Sequence, residues 1–199
     1  MVLPAGIRVQ WMPVPPDTAR RGVAWQLLRT LVGDPAASIS NACPECGAPH
    51  GPVQITGADV VASVTYVGGF AIACVADRAV ATAVGIDAES VSDPRRSAAA
   101  MQGIIHPGLS SSLREWTRVE AVLKADGRGL RVAPAAVSLS EGDGAWRATV
   151  EGSPRVFNGW DVPGPRGTIM SVAVEPVSVA VEPVSAEEAP AAPAGQATL

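Results

Sequence analysis

The stretch 60–76 carries no charged residue and is interrupted only by Gly68-Gly69. It falls short of the roughly 20 uninterrupted apolar residues that a bilayer span requires, so it does not indicate a membrane protein. Runs 60–66 and 70–76 are strand-like, and the glycine pair supplies the positive φ that a two-residue hairpin turn needs. The spacing predicts two paired strands, with a helix starting at the glycines as the alternative. A third run over 79–87 predicts a further strand, ending in Gly85-Ile86-Asp87-Ala88-Glu89.

Upstream, 1–17 is rich in proline, with one short strand expected around 7–11. Asp17-Thr18 is placed to cap a helix over 19–31, with Val23, Ala24, Leu27, Leu28 and Leu31 on one stripe and Gly33-Asp34-Pro35 ending it. Segment 36–57 is dense in Pro, Gly, Ser and Asn and reads as loop. Downstream, Asp93-Pro94 opens a helix expected to run to about Ile105. Ser112 and Glu115 form a capping box for the next helix, which carries Leu113, Trp116, Ala121 and Leu123 and ends at Gly127 and Gly129. Alternating runs at 137–139, 146–150 and 168–174 predict an antiparallel sheet, and the whole predicts an α+β fold. The heptapeptide at 171–177 is repeated without change at 178–184, and Ala, Pro and Glu follow. The first copy can complete the last strand; the remainder predicts a disordered tail.

Hydrophobic residues make up 47% of the 199 and charged residues 17%, which excludes disorder over most of the length. That length suits one domain or two small lobes sharing a core. The net charge of −4 splits into an acidic end and a neutral body. Residues 171–199 hold Glu175, Glu182, Glu187 and Glu188 and no base, leaving 15 acids against 15 bases elsewhere. No basic face for nucleic acid follows from that balance. The first ten residues hold one Arg and no apolar core, unlike a signal peptide, so a cytoplasmic location is expected. Arg supplies 14 of the 15 bases, which singles out Lys124 as the one lysine.

Two acidic groupings carry potential chemistry. Asp87 and Glu89 are two apart on a strand, so their side chains share a face. Glu120 lies mid-helix with Lys124 one turn later on the same side. Together these make an oxygen-lined pocket suited to Mg2+ holding a phosphate or pyrophosphate; solvated turn chemistry and a helix-surface ion pair are the plainer alternatives. Separately, Cys43-Pro-Glu-Cys46 followed by His50 offers half a zinc site. The matching half is missing, and a surface turn is the alternative reading. Three cysteines, Cys43, Cys46 and Cys74, cannot close a disulfide framework.

The pair Gly85-Ile86-Asp87-Ala88-Glu89 and Trp116-Thr-Arg-Val-Glu120-Ala-Val-Leu-Lys124-Ala-Asp-Gly-Arg-Gly129-Leu resembles the two signatures of the Sfp-type 4′-phosphopantetheinyl transferases. Those read G-[IV]-D-x-E and W-x-x-K-E-[AS]-x-x-K-A-x-G-x-G-L. Segments 17–29, 43–51, 63–76 and 160–174 are similar to further family segments in the same order, so the resemblance covers about 17–174. It implies an α+β fold of two pseudo-symmetric lobes, each a small antiparallel sheet with a packed helix, with the active site between lobes. The lobes would fall at 1–83 and 84–175, with a tail over 176–199. The implied reaction moves the phosphopantetheine arm of coenzyme A to a serine of an acyl or peptidyl carrier protein, by a monomer.

By position, the resemblance makes Asp87, Glu89 and Glu120 the Mg2+ ligands, Glu120 the base on the carrier serine and Lys124 the offset to pyrophosphate charge. Arg20, Arg21, His50, Thr65 and Tyr66 are the corresponding coenzyme contacts. The sequence also departs from the pattern. The family's Ser-His-Ser triplet reads Thr65-Tyr66-Val67, Pro52 stands where a base is expected after His50-Gly51, and Val119 replaces the second signature's first lysine, with Arg118 beside it as a substitute charge. A relative that binds a carrier protein or nucleotide without transfer is therefore the competing expectation, and a small zinc-knuckle binding module is a third.

Overall fold

The computed structural model describes residues 3–93 and 112–177. Gly68 and Gly69 take φ of 53° and 81° and join β4 (Val60–Val67) to β5 (Phe70–Asp77), with Val67 opposite Phe70. β1 (Ile7–Pro13) pairs with the other edge of β5, giving a three-stranded antiparallel sheet in the order β1-β5-β4. β6 (Ala81–Ser90) begins ahead of the expected division at 83/84 and is the edge of a second sheet, completed by β10 (Thr168–Pro176), β9 (Val156–Asp161), β8 (Trp146–Val150) and β7 (Val137–Glu141). β2 (Ser38–Ser40) and β3 (Gln54–Thr56) form a two-stranded sheet inside the segment expected to be loop. The molecule is thus α+β, with three antiparallel sheets and two α-helices among the described residues: α1 (Arg20–Val32) and α2 (Leu113–Asp126). Neither is long and apolar enough to cross a membrane. The helix expected over 94–105 and the second copy of the repeat with its tail lie outside the described residues.

Strand alternation stacks these parts in layers. Odd residues of β5 (Ala71, Ala73, Val75) pack on Val23, Ala24, Leu27, Leu28 and Leu31 of α1. Its even residues (Ile72, Cys74, Ala76) pack on Val84, Ile86 and Ala88 of β6 and Met170, Val172 and Val174 of β10. The other face of the five-stranded sheet receives α2 through Val119, Val122, Leu123 and Ala125, against Trp146, Phe157 and Ala173. β5 lies between two layers and is apolar on both faces, which accounts for the uncharged stretch 70–76.

The two helices start differently. Ser112 and Glu115 make the capping box in full, the Ser112 hydroxyl accepting from the Glu115 amide and the Glu115 carboxylate accepting from the Ser112 amide. At α1 the expected cap fails. Ala19 occupies the cap position without a side-chain bond, Asp17 is held in the left-handed region at φ 60°, and the Thr18 hydroxyl donates back to the Pro16 carbonyl. The Pro15-Pro16 turn sets that geometry before the helix begins.

On the α2 face of the sheet, Arg118 is 7% exposed. Its guanidinium lies over Trp146, donates to both oxygens of Asp161 at 3.0 and 2.7 Å, and bonds Glu141. Arg118 is thus committed to the sheet and Val119 is fully buried, so neither supplies the charge missing from the second signature. Burial pushes the Asp161 carboxyl up, but the bonds from Arg118 and Ser171 outweigh it and hold it below the usual carboxylate range. A carboxyl depressed on folding stabilises above its unfolded pKa of about 4 and loses that contribution as pH falls through its folded value. Denaturant midpoints should therefore fall from pH 5 towards pH 2, and Asp161→Asn should lie below wild type at pH 7 with the gap closing in acid. A gap constant across pH would show that the pair adds nothing to the acid limb.

Candidate functional site

β4 and β6 are edge strands of different sheets, and side chains stitch them together. The Ile86 amide donates to the Ser63 hydroxyl at 3.2 Å, and the Thr65 hydroxyl donates to Asp87 Oδ1 at 3.1 Å. α2 crosses above this seam because Gly85 has no side chain. A Cβ there would stand 1.9 Å from the Ala121 carbonyl oxygen and 2.6 Å from the Ala125 nitrogen. The close approach brings one stripe of α2 onto β6. Trp116 Nε1 donates to Glu89 Oε1 at 3.1 Å; two turns on, Lys124 Nζ donates to Asp87 Oδ1 at 2.7 Å and to the Ile86 carbonyl at 2.9 Å. Glu120 lies between these two residues on the same stripe, half-buried.

Asp87 and Glu89 come from alternate positions of β6 and Glu120 from the α2 stripe that crosses it, but among the described residues the three-ligand cluster with donor atoms within 4.8 Å of one another is Cys43, Cys46 and His50, not these carboxylates. Asp87 is 6% exposed, and its Oδ2 is buried with no hydrogen-bond partner. A buried, unpaired carboxylate oxygen is costly unless something satisfies it. An oxygen-seeking divalent cation would satisfy that acceptor. Lys124 pairs with Asp87 in this structure, so its ammonium serves this carboxylate.

Two cavities follow one another along the seam. The smaller, about 470 Å3, is lined by Thr65, Tyr66, Asp87, Glu89, Ser90 and Asp93. The larger, about 560 Å3, is lined by His50, Ser63, Val84, Lys124, Arg128 and Arg131, among others. The coenzyme contacts implied by sequence divide between them. Thr65 and Tyr66 both line the acidic cleft, but Thr65 turns to Asp87 while Tyr66, the next residue of β4, packs with the α1 cluster, with Arg20 over its ring at 4.7 Å from the centre. Burial raises the Tyr66 phenol, and the positive charges of Arg20 and Arg21 oppose that rise, so both arginines stand near it. His50 is elsewhere, on the wall of the larger cavity, with Nε2 at 3.1 Å from Cys46 Sγ.

Three contributions escaped the sequence reading. Trp116 packs in the core as expected, but its indole nitrogen also fixes Glu89. Ser63 holds β6 in place. Asp93, read as a helix cap, lines the acidic cleft. Alternation along β4 identifies Ser63 as sharing a face with Thr65; no sequence signal pairs Trp116 with Glu89, because that bond spans 27 residues.

Compared with known proteins, the chain matches no protein-family model and no curated protein sequence.

Proposed function

We propose that this protein transfers the 4′-phosphopantetheine arm of coenzyme A to a serine of an acyl or peptidyl carrier protein, in a reaction that requires Mg2+. One observation carries the reading. Asp87 has a buried Oδ2 with no hydrogen-bond partner and shares a cavity wall with Glu89; these two and Glu120 of α2 are the three positions at which the chain resembles the transferases' metal ligands. Two sheets, each with a helix on its outer face, meeting at edges β4 and β6, support the finer reading of two pseudo-symmetric lobes with the site between them.

Asp87, Glu89 and Glu120 would hold Mg2+. When bound, the ion offsets diphosphate charge that builds on the leaving group. Arg20 and Arg21, near Tyr66, would suit the coenzyme's anionic groups, as would Arg128 and Arg131 on the wall of the larger cavity. Glu120 takes the proton of the carrier serine as the serine oxygen attacks the β-phosphorus. The bond to the α-phosphate breaks, and adenosine 3′,5′-bisphosphate leaves. Thr65 and Lys124 fix Asp87, and Trp116 fixes Glu89, so the carboxylates keep their spacing without reorganising.

A specific feature favours a second reading. Arg20 covers the Tyr66 ring, so a contact expected for a coenzyme phosphate is closed in this conformation. A relative that binds a carrier or nucleotide without transfer would fit that arrangement.

Intact-mass spectrometry of an apo carrier protein incubated with coenzyme A, Mg2+ and this chain separates the two. A phosphopantetheine mass gain that requires Mg2+ and disappears in Glu120→Gln is the expected result. No gain on several unrelated carriers, with folded protein that still binds coenzyme A, would leave the non-catalytic reading standing.

A further inference from the structure

We propose that Cys43, Cys46 and His50 bind one thiophilic divalent cation, Zn2+ foremost, which closes the 43–50 loop and carries solvent in its fourth position. This site is separate from the acidic cleft and does not require the transferase reading; it gives His50 to the ion in place of the coenzyme contact that the resemblance implies. The Sγ atoms of Cys43 and Cys46 and a ring nitrogen of His50 all lie within 4.8 Å of one another. Tetrahedral Zn2+ with sulfur at 2.3 Å and nitrogen at 2.0–2.1 Å spaces sulfur and nitrogen by about 3.6 Å and two sulfurs by about 3.8 Å. Cys46 Sγ and His50 Nε2 stand at 3.1 Å, somewhat inside that spacing, so small side-chain rotations complete the set.

The backbone is built for this before any ion arrives. The Cys43 amide donates to the Ala48 carbonyl and the Gly47 amide to the Cys43 carbonyl, both at 2.8 Å, with Gly47 in the left-handed region at φ 72°. Amides of Cys46 and Glu45 point at the Cys43 sulfur. The loop ends are clamped together. The Gly51 amide donates to the Asn41 carbonyl, and a Cβ on Gly51 would stand 2.4 Å from the Ala42 carbonyl oxygen. Asn41 Nδ2 donates to the Pro49 carbonyl. Little ordering entropy remains to oppose binding.

The donor set decides the class of ion. Two thiolates and an imidazole select Zn2+ over Mg2+, which prefers the carboxylates of the acidic cleft. Location gives the site a consequence. Glu45, inside the loop, pairs with Arg131 next to the helical turn after α2, and Cys43 and His50 line the larger cavity. A bound ion therefore fixes one wall of that cavity.

The third thiol supplies an internal control. Cys74 is buried between the sheets, and burial pushes its pKa up to about 12, so it stays protonated and inaccessible in the folded protein. The test counts thiols that alkylate in full-length, reduced, metal-stripped protein. Cys43 and Cys46 should react in the native state, both should be protected by one equivalent of Zn2+ and not by Mg2+, and all three thiols should react after unfolding. Co2+ should give thiolate charge-transfer absorption in the wild type. Cys46→Ser and His50→Gln, in an exposed loop and shown to be folded by circular dichroism, should weaken Zn2+ by more than the roughly 10–100-fold that loss of an outer-shell partner costs. Absence of Zn2+ protection, or wild-type Zn2+ affinity in both variants, would overturn the site. Protection that needs no metal and vanishes with reductant would overturn it in favour of a Cys43–Cys46 disulfide.

Discussion

Replacing Asp87 with Asn is expected to lower Mg2+-dependent transfer by at least about two orders of magnitude while leaving the protein folded. The argument starts from geometry. Asp87 Oδ1 is occupied by Thr65 and Lys124, whereas Oδ2 is buried with nothing to accept from. Asn keeps the shape and an oxygen for the Thr65 hydroxyl, and Lys124 keeps its bond to the Ile86 carbonyl. The structural cost should stay near the roughly 1–3 kcal/mol of a lost hydrogen-bond partner. The catalytic cost is larger, because an amide carries no charge for the ion. A metal supplies several kcal/mol of transition-state stabilisation, at about 1.4 kcal/mol per tenfold in rate. Two measurements check it: turnover against Mg2+ concentration, and direct metal binding by calorimetry. A variant with wild-type turnover and unchanged Mg2+ dependence would reduce Asp87 to a structural partner of Lys124.

What the sequence made legible was local. The hairpin at Gly68-Gly69, the stripe of α1 and the capping box of α2 each depend on residues a few positions apart, where turn φ, helical period and cap chemistry act directly. Alternation also placed Asp87 and Glu89 on one face, and β6 keeps them there. What stayed hidden depends on distant partners. β9 contains Asn158-Gly159, which reads as a turn. The glycine is needed because the Trp146 ring lies where its Cβ would be, at 2.2 Å. β2 and β3 are three residues each with no apolar alternation, and only their mutual pairing makes them strands. Asp17 has the right chemistry for a cap, and its backbone prevents it. The near approach of Cys43, Cys46 and His50 was half-legible: the spacing suggested a grip, and the fold of the loop brings the imidazole to it.

Gly85→Ala should be the most disruptive single-methyl change along the seam, destabilising by about 3 kcal/mol or more. Overpacking typically costs 1–3 kcal/mol when neighbours can yield. Here the added Cβ would meet the backbone of α2, at 1.9 Å from the Ala121 oxygen and 2.6 Å from the Ala125 nitrogen, and backbone cannot rotate aside. α2 has to lift from β6. The helix carries Trp116, Glu120 and Lys124 on one stripe, so a lift breaks the Trp116–Glu89 and Lys124–Asp87 bonds together. Any protein that remains folded should therefore also bind Mg2+ more weakly, without a change to a single ligand. Gly22→Ala is the matched control, since nothing lies within 4 Å of its Cβ position in α1. That variant should be neutral or gain up to about 1 kcal/mol by restricting the unfolded chain. Urea midpoints of the two variants decide the matter. If Gly85→Ala unfolds within about 0.5 kcal/mol of wild type, which is the scatter of ordinary surface changes, the helix is not held on this glycine and the seam tolerates a wider spacing between its carboxylates.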